Sequence, residues 1–592
     1  MVLARLLKQF LRARPTGACA RAQALLAAGD AARSRGETQE AERCWREALA
    51  LAPENPLALC RIGMLLGERG DTAGSKPYFE RAHELQPGLA DALAGLGNVW
   101  WVEGDFPRAE DCLRRALAVE PDLAVAHRNL GTMLLTQGDR EQAVTHLRRA
   151  WDLGLRGQEL LSTLVRVEIE LGRGDSAAEW LAAECAARPA DPEPRLQLGR
   201  LFKELQEPRR ARQWLELGLG LAPSDARGWT DLGTVLQDLG QIPLALECYE
   251  RSLALRPDYG VAAYYRAVCE LLCGNFERAW HDYEKRLEDL RIAPRRVRFP
   301  RWDGTAAPAQ TVLVYTEQGV GDEIMFASCL PDLMARGVRV VYEARRRLAP
   351  LMARSFPQAT VCASTGDGRL PAATAGVNID SEIPIGSLPL HFRRTLQEFP
   401  AHRGYLVADP VRVQFWRDRL AALGPGLKVG MSWRGGTATS RQKLRSLTLE
   451  QLRPVLEVPG VHFVSLQYGD AREALRGAAG LPQIAEWPEA IDDLDETAAL
   501  VSALDLVVSV CTAVIHLGGA LGRPVWVLAP YAPEWRYGLT GEAMPWYPSV
   551  SVIRQPAFGE WDPVIAEVAA RLRQRISAGG PAPGGHGVTP GG

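Results

Sequence analysis

The sequence is short of histidine, of net charge and of long apolar runs. Nine histidines occur in 592 residues, and no His-Glu-x-x-His pair is present to seat a catalytic zinc. Lys+Arg is 69 and Asp+Glu is 71, a net charge of −2, which excludes a general basic footprint for nucleic acid. The 11 cysteines contain no Cys-x-x-Cys pair and fit a reducing, cytoplasmic setting. Cys269 and Cys273 stand four apart within a helical pattern and read as small buried residues rather than metal ligands. No apolar run approaches the ~18 to 20 residues of a membrane helix, so no integral membrane segment is expected. Met1 to Arg14 mixes leucine with Arg5, Lys8, Arg12 and Arg14, and its apolar stretch is too short for a signal-peptide core. Residues 1–21 read as an N-terminal helix or cap, with an amphipathic, membrane-touching start as the other reading. The 47% hydrophobic and 24% charged residues are ordinary for a globular protein.

What is there is a repeat. Prolines stand at 53, 87, 121, 189, 223 and 257, a spacing of 34 with one rung missing at Leu155. A second column is glycine: Gly29, Gly63, Gly97, Gly131, Gly199 and Gly233. A third is Ala41, Ala109, Ala143, Ala177, Ala211, Ala245 and Ala279. A bulky residue follows each alanine four places later: Trp45, Leu113, Leu147, Leu181, Leu215, Tyr249 and Tyr283. A 34-residue period with these columns is the tetratricopeptide signature, a helix-turn-helix unit. Residues 22–293 hold about eight units, the weakest at 158–191, where Val165 replaces the glycine. A single unit cannot bury its apolar face, so neighbours stack into a superhelix. Its groove is expected to bind a protein partner or peptide; the plainer reading is a spacer.

The period stops after Arg286, and Pro294, Pro300, Trp302, Asp303, Gly304 and Pro308 mark a linker over 294–310. Beyond it, short β-branched runs alternate with helical stretches, which implies parallel sheets covered by helices. Strands are expected at Thr311 to Tyr315, Val338 to Tyr342, Val429 to Trp433, Val461 to Leu466, Leu506 to Val510 and Val525 to Leu528. Helices fit Asp322 to Ala335, 448–457, 493–504, 512–521 and Trp561 to Ile576. The pattern divides into an α/β half at 311–405, a connector at 406–424 and a second half at 425–576 that includes the closing helix. The glycine- and proline-rich end, 577–592, reads as disordered.

Three loops sit where a parallel sheet usually binds ligands, at strand carboxyl ends. The first is Glu317-Gln318-Gly319-Val320-Gly321-Asp322, whose two glycines allow close backbone approach before a helix start. Asp322 reads either as a functional carboxylate or as a cap of that helix. No Gly-Lys-Ser/Thr follows, so the loop is not a Walker motif, nor is it a full dinucleotide fingerprint. The second is Trp433-Arg434-Gly435-Gly436-Thr437, continued by Thr439, Ser440, Arg441, Lys443 and Arg445. Its cations and glycines suit a diphosphate; a solvated loop is the alternative. The third runs from Ser509 through Cys511, Thr512 and His516 to Gly518 and Gly519, and opens a helix whose N-terminus could take a phosphate. His516 lies one turn inside that helix, where a structural role is equally open. Asp493 and Asp495 form an Asp-x-Asp at a helix start, where negative charge is favourable without a metal; no metal is expected.

Residues 311–576 resemble the glycosyltransferase family nine group, whose members include bacterial lipopolysaccharide heptosyltransferases. The whole chain resembles bacterial tetratricopeptide proteins that carry such a domain at their C-terminus. The resemblance rests on Trp280 to Arg286, Glu317 to Phe326, Val429 to Gly436, Ser465 to Gly469, and the run from Leu504 through Pro530 to Trp535-Arg536. Trp546-Tyr547-Pro548 and Arg554-Gln555 complete it. It implies a GT-B fold, two Rossmann-like halves with the acceptor on the first and a nucleotide-sugar on the second. It implies a transferase of hexosyl, heptosyl or N-acetylhexosaminyl groups that inverts the anomeric centre without an essential metal or further cofactor, the nucleotide-sugar being a co-substrate. Asp322 matches the proposed general base. Gly319, Gly321, Trp433, Arg434, Gly435, Lys443, Arg445, Cys511, Thr512 and His516 are the implied ligand-binding set, and His516 matches the family's histidine near the diphosphate. Cys511 stands where the family has an aspartate, and a thiol does not replace a carboxylate as an acceptor. The array is also similar to that of protein O-GlcNAc transferase, but its asparagine ladder is reduced to Asn129, with Arg61, Gly95, Gln197 and Asp231 at the equivalent positions. The alternative these departures leave is a non-catalytic repeat scaffold with a degenerate nucleotide-sugar-binding domain.

Overall fold

A computed structural model describes residues 17–288, 298–305, 307, 310–436, 442–469, 475 and 480–578. Residues 1–16 of the expected cap, the tail after 578, Pro294, Pro308, Thr437, Thr439, Ser440 and Arg441 lie outside the described residues. The chain forms two compact units, Met1–Pro189 and Ala190–Gly592.

Among the described residues, eight helical hairpins follow one another, from Ala18–Ser34 with Thr38–Leu51 to Gly260–Cys273 with Phe276–Tyr283. The sequence columns explain how each hairpin closes. A Cβ on Gly97 would stand 2.6 Å from Leu113 Cγ, and one on Gly131 would stand 2.7 Å from Leu147 Cγ. The glycine of the first helix thus receives the bulky residue of the second, and the alanine column lets the backbones approach. The prolines fall in the turns between hairpins, where a missing amide donor stops the preceding helix. The fifth hairpin, Gln158–Glu170 with Gly174–Ala187, forms with Val165 half-buried in the glycine's place.

A further period-34 column was not read from the sequence. The turn within each hairpin needs a left-handed residue, and glycine supplies it from Gly36 to Gly274. In the sixth hairpin, Glu193–Glu204 with Pro208–Leu221, Gln206 occupies this place at φ 59°, the one non-glycine residue with positive φ among those described. Cys269 is buried as expected, but Cys273 is exposed, because it ends its helix immediately before the left-handed Gly274.

The second unit joins the last three hairpins to the α/β region, so the compact units do not divide at 294–310. Trp302 is buried, and Arg301 bridges to Glu382 at the edge of the first sheet. That sheet runs β3-β2-β1-β4, all parallel, with β1 Thr311–Tyr315, β2 Arg339–Ala344, β3 Thr360–Ala363 and β4 Ser381–Pro384. The second runs β6-β5-β7-β8-β10-β9, with β5 Leu427–Ser432, β6 Val461–Ser465, β7 Leu506–Val510, β8 Val525–Ala529, β9 Ala543–Met544 and β10 Tyr547–Arg554. Only the short β9 is antiparallel. β1, β7 and β8 are nearly continuous apolar runs, as both-face burial demands.

Two expected helices are shortened by proline. The stretch from Asp322 to Ala335 breaks into Val320–Phe326, a 3₁₀ turn and Leu330–Ala335, since Pro331 has no amide to donate. The helix expected at 448–457 is only Arg453–Leu456, with Pro454 in its first turn. The closing helix, Asp562–Ser577, packs Val564, Ile565, Val568 and Leu572 into the core of the second sheet, beside Val429, Met431 and Phe463. The 406–424 connector contains the helix Pro410–Ala421, whose Trp416 indole donates to Glu496 at 2.8 Å.

Gly131→Ala tests the hairpin geometry. An alanine gains up to ~1 kcal/mol of helix propensity, but overpacking costs ~1–3 kcal/mol, and the Ala143 carbonyl oxygen, 3.0 Å from the new Cβ, cannot rotate away. Net destabilisation is expected in urea melts, and the Gly131→Ala step should cost less when made in a Leu147→Ala background than in the unaltered protein.

Candidate functional site

The first loop is held by buried carboxylates on either side of Asp322. Glu323 is buried and accepts from the Thr316 hydroxyl at 2.7 Å, the Tyr342 hydroxyl at 2.9 Å and the Arg345 amide at 2.9 Å. Burial pushes its carboxyl above the usual range, and these three donors oppose that. Glu317 accepts from Arg286 at 2.9 Å and from the Gly386 amide at 3.2 Å. Between them Gly319 is the helix N-cap, with no side-chain cap bond, so Asp322 does not cap its helix. Its carboxylate instead pairs with Arg536, from the loop after β8.

The second loop is shaped by Gln467. Its side-chain oxygen accepts from the amides of Trp433 at 3.0 Å and Arg434 at 2.8 Å, and its amide nitrogen donates to the Arg434 carbonyl at 3.2 Å. Trp433 is buried in the core of the second sheet rather than turned to the loop. A Cβ on Gly435 would meet the Cys511 carbonyl oxygen at 2.7 Å, so only glycine lets the second and third loops lie this close. Lys443 points elsewhere: its amide donates to Gln206 Oε1 at 2.7 Å and its ammonium to the Leu205 carbonyl at 3.3 Å. The strained turn of the sixth hairpin thus holds the end of this loop. Arg445 pairs with Glu534.

In the third loop, Thr512 is the N-cap of the helix Ala513–Ala520, and its hydroxyl is 3.0 Å from that of Ser509, not bonded to the helix amides. Cys511 is buried, its thiol hydrogen-bonded with the Tyr537 hydroxyl. His516 is buried, with Nδ1 3.2 Å from the Tyr547 hydroxyl. Burial, with the Arg536 charge adding to it, pushes its pKa down to about 3. The ring is therefore neutral at pH 7 and offers a hydrogen bond, not a charge. A Cβ on Gly321 would approach His516 Cδ2 to 3.0 Å, so that glycine lets the two helices meet.

The three loops border one cleft of about 540 Å³. Of the expected residues, Gly321, Asp322, Arg434, Arg445, Cys511, Thr512 and His516 line it; Gly319, Trp433, Gly435 and Lys443 do not. Gln467, Tyr468, Glu534, Arg536 and Tyr537 also line it and had no assigned role. No spacing marked Arg536, since its partner Asp322 is 214 residues away. Asp493 caps its helix by accepting from the Asp495 amide at 2.8 Å, and Asp495 pairs with Arg354. No group of three or more potential metal ligands occurs among the described residues. No helix among them is long and apolar enough to cross a membrane.

Helical hairpins at period 34 followed by parallel-rich sheets define a tetratricopeptide-repeat protein with a C-terminal α/β region. A tetratricopeptide-repeat profile matches residues 26–66, 60–122, 95–154, 128–192 and 230–295. Protein FlbA of Caulobacter vibrioides is 31% identical over 463 residues, covering 69% of this chain and 77% of that protein. The chain belongs to the family of Protein FlbA. Among solved structures it is similar to YrrB, described as a TPR protein with an unusual peptide-binding site, at 19% identity and a TM-score of 0.28, over 32% of this chain and 97% of that one. It is also similar to pilF of Pseudomonas aeruginosa, at 23% identity and a TM-score of 0.30, over 36% and 96% respectively.

Two measurements test this geometry. Gln206→Gly relieves a left-handed residue worth ~1 kcal/mol, so the stability of the second unit should hold or rise. Hydrogen exchange at the Lys443 amide should nevertheless accelerate, and unchanged exchange would remove the clamp. Second, buried His516 and half-buried His146, whose pKa burial pushes down to about 4, are neutral when folded but take up protons near 6.5 when unfolded. The unfolded state then binds more protons, so the melting midpoint should fall as the pH drops below 6.5. His146→Gln should flatten part of that fall.

Proposed function

We propose that the protein is a glycosyltransferase that moves a sugar from a nucleotide-sugar to a glycan or protein acceptor. The displacement is inverting and metal-independent, on a GT-B arrangement of the two α/β halves. The repeats support a partner-binding role, and here they recruit the acceptor or a partner. One observation carries the reading: the loops after β1, β5 and β7 converge on a single cleft that is lined by a carboxylate, Asp322, by Arg434 and Arg445, and by a helix N-terminus.

In this reaction Asp322 takes the proton of the acceptor hydroxyl as that oxygen attacks the anomeric carbon. The bond from that carbon to the diphosphate breaks, and the nucleoside diphosphate leaves with the electron pair. Arg434, Arg445 and the amides at the start of Ala513–Ala520 meet the developing negative charge. His516, neutral, adds a hydrogen bond beside them. Gly321 lets the helices that carry Asp322 and His516 meet, which sets both groups on the one cleft.

A second reading, a non-catalytic scaffold, is favoured by Cys511. Its thiol is engaged by Tyr537 where the resembled family has an aspartate. The two readings separate in one experiment. Calorimetry with UDP, GDP, ADP, CMP and their common sugars should find one preferred nucleotide-sugar, with binding lost in Arg445→Ala or His516→Ala. Asp322→Asn should bind no less tightly and lower transfer by about 10²- to 10⁴-fold. Full transfer by a folded Asp322→Asn protein removes the base assignment, and no binding across the panel leaves the scaffold.

A further inference from the structure

Two arginines line the cleft with a carboxylate already on each. Arg536 is paired with Asp322, which comes from the first sheet's loop, and Arg445 with Glu534, which comes from the loop after β8. All four side chains are largely enclosed: 16% and 20% exposed in the first pair, 14% and 22% in the second. The pairs lie in the same cleft, with Glu534 only two residues from Arg536. The Arg536 Nε is also buried with no acceptor among the described residues. An enclosed guanidinium without an anion is costly, and these carboxylates offset that cost. They leave one donor of Arg536 unsatisfied.

We propose that Asp322 and Glu534 are guards of an anion site, holding Arg536 and Arg445 until the paired phosphoryl groups of a diphosphate displace them. The proposal rests on the nucleotide-sugar reading and deepens it. Each phosphoryl group of a nucleotide-sugar presents two non-bridging oxygens to a guanidinium fork as a carboxylate does, and the linked pair brings two charges and four such oxygens in one molecule. One of the four gives the Arg536 Nε an acceptor. The exchange has a consequence for order. While Asp322 neutralises Arg536, its Oδ1 is held by the guanidinium and the carboxylate is turned to the arginine, and it is released toward an acceptor hydroxyl when the diphosphate takes the arginine. The donor therefore binds first, and Asp322 becomes a competent base only in its presence. The guards also set affinity, because apparent binding is the intrinsic value reduced by the fraction of sites whose arginines are free.

The test is calorimetric titration of the full chain with inorganic pyrophosphate, UDP, GDP and ADP, with thermal melts to verify folding. Glu534→Gln and Asp322→Asn each remove a guard with little change of shape. Each should bind the probe that binds the unaltered protein about ten-fold more tightly. Arg536→Gln should bind it about ten-fold more weakly, and in that background Asp322→Asn should bring no gain. Unchanged or weaker binding in both guard variants overturns the proposal, as does the absence of binding of every probe to every folded variant. If pyrophosphate follows the expected pattern but no nucleotide binds, the guarded site stands and the nucleotide-sugar reading falls. If a nucleotide binds the unaltered protein and neither guard variant tightens it, the reading stands and the guards fall.

Discussion

The buried ion pair between Arg286 and Glu317 ties the last repeat to the loop that carries Asp322. The two side chains are 6% and 1% exposed, and burial so complete is costly unless the pair is fully hydrogen-bonded. Arg286 offsets much of that cost by also donating to Ser387 at 2.7 Å, to Glu284 at 2.7 Å and to the Tyr283 carbonyl at 3.2 Å, whereas Glu317 Oε2 is buried with no partner among the described residues. Around it, the Trp280 indole donates to the Arg393 carbonyl at 2.7 Å, and Tyr283 donates to Gln318 at 3.0 Å. Trp280 and Tyr283 both pack edge-on against Trp535, which stands next to Arg536. One repeat thus braces Asp322 and its ion-pair partner from the same side. It is as much a wall of the α/β region as a member of the array.

That bracing gives the cleft an electrostatic balance that its composition would not suggest. Arginines collected there are met by carboxylates from separate loops. The one histidine is stripped of charge by burial beside Arg536. Polar groups are held to fixed directions by buried struts, Glu323 behind the first loop and Gln467 behind the second. The struts fix the loops themselves, so a change of partner at the arginines need move only the side chains of the two pairs.

The repeats spend much of their polar surface on themselves. Arg61 reaches Asp30 at 3.0 Å and Asp91 at 2.8 Å, and Asp231 accepts from Arg200 at 3.0 Å. Asn129 accepts from Arg128 at 3.2 Å. The side chains of Arg61, Asn129 and Asp231 are thus engaged within their own units.

The repeat period, the number of hairpins and six of the strands were legible in the sequence, because each depends on contacts between residues close in the chain. A glycine and the leucine it receives lie within one hairpin, and a buried parallel strand announces itself as a β-branched run. The left-handed turn column was legible too, yet glycine is common enough that its period hid among others, and Gln206 broke it. The strands β3, β4, β9 and β10 carry weaker runs and are defined by the neighbours they pair with. The three candidate loops were visible from their place after strands. Which of their side chains meet was decided by tertiary structure alone. Trp433 turns into the core because a large apolar ring is better buried there, and Lys443 turns to the sixth hairpin because carbonyl and amide oxygens wait for it. Arg536 meets Asp322 from 214 residues away, and no local pattern encodes a pair whose two charges are brought together only by the packing of two sheets and a repeat.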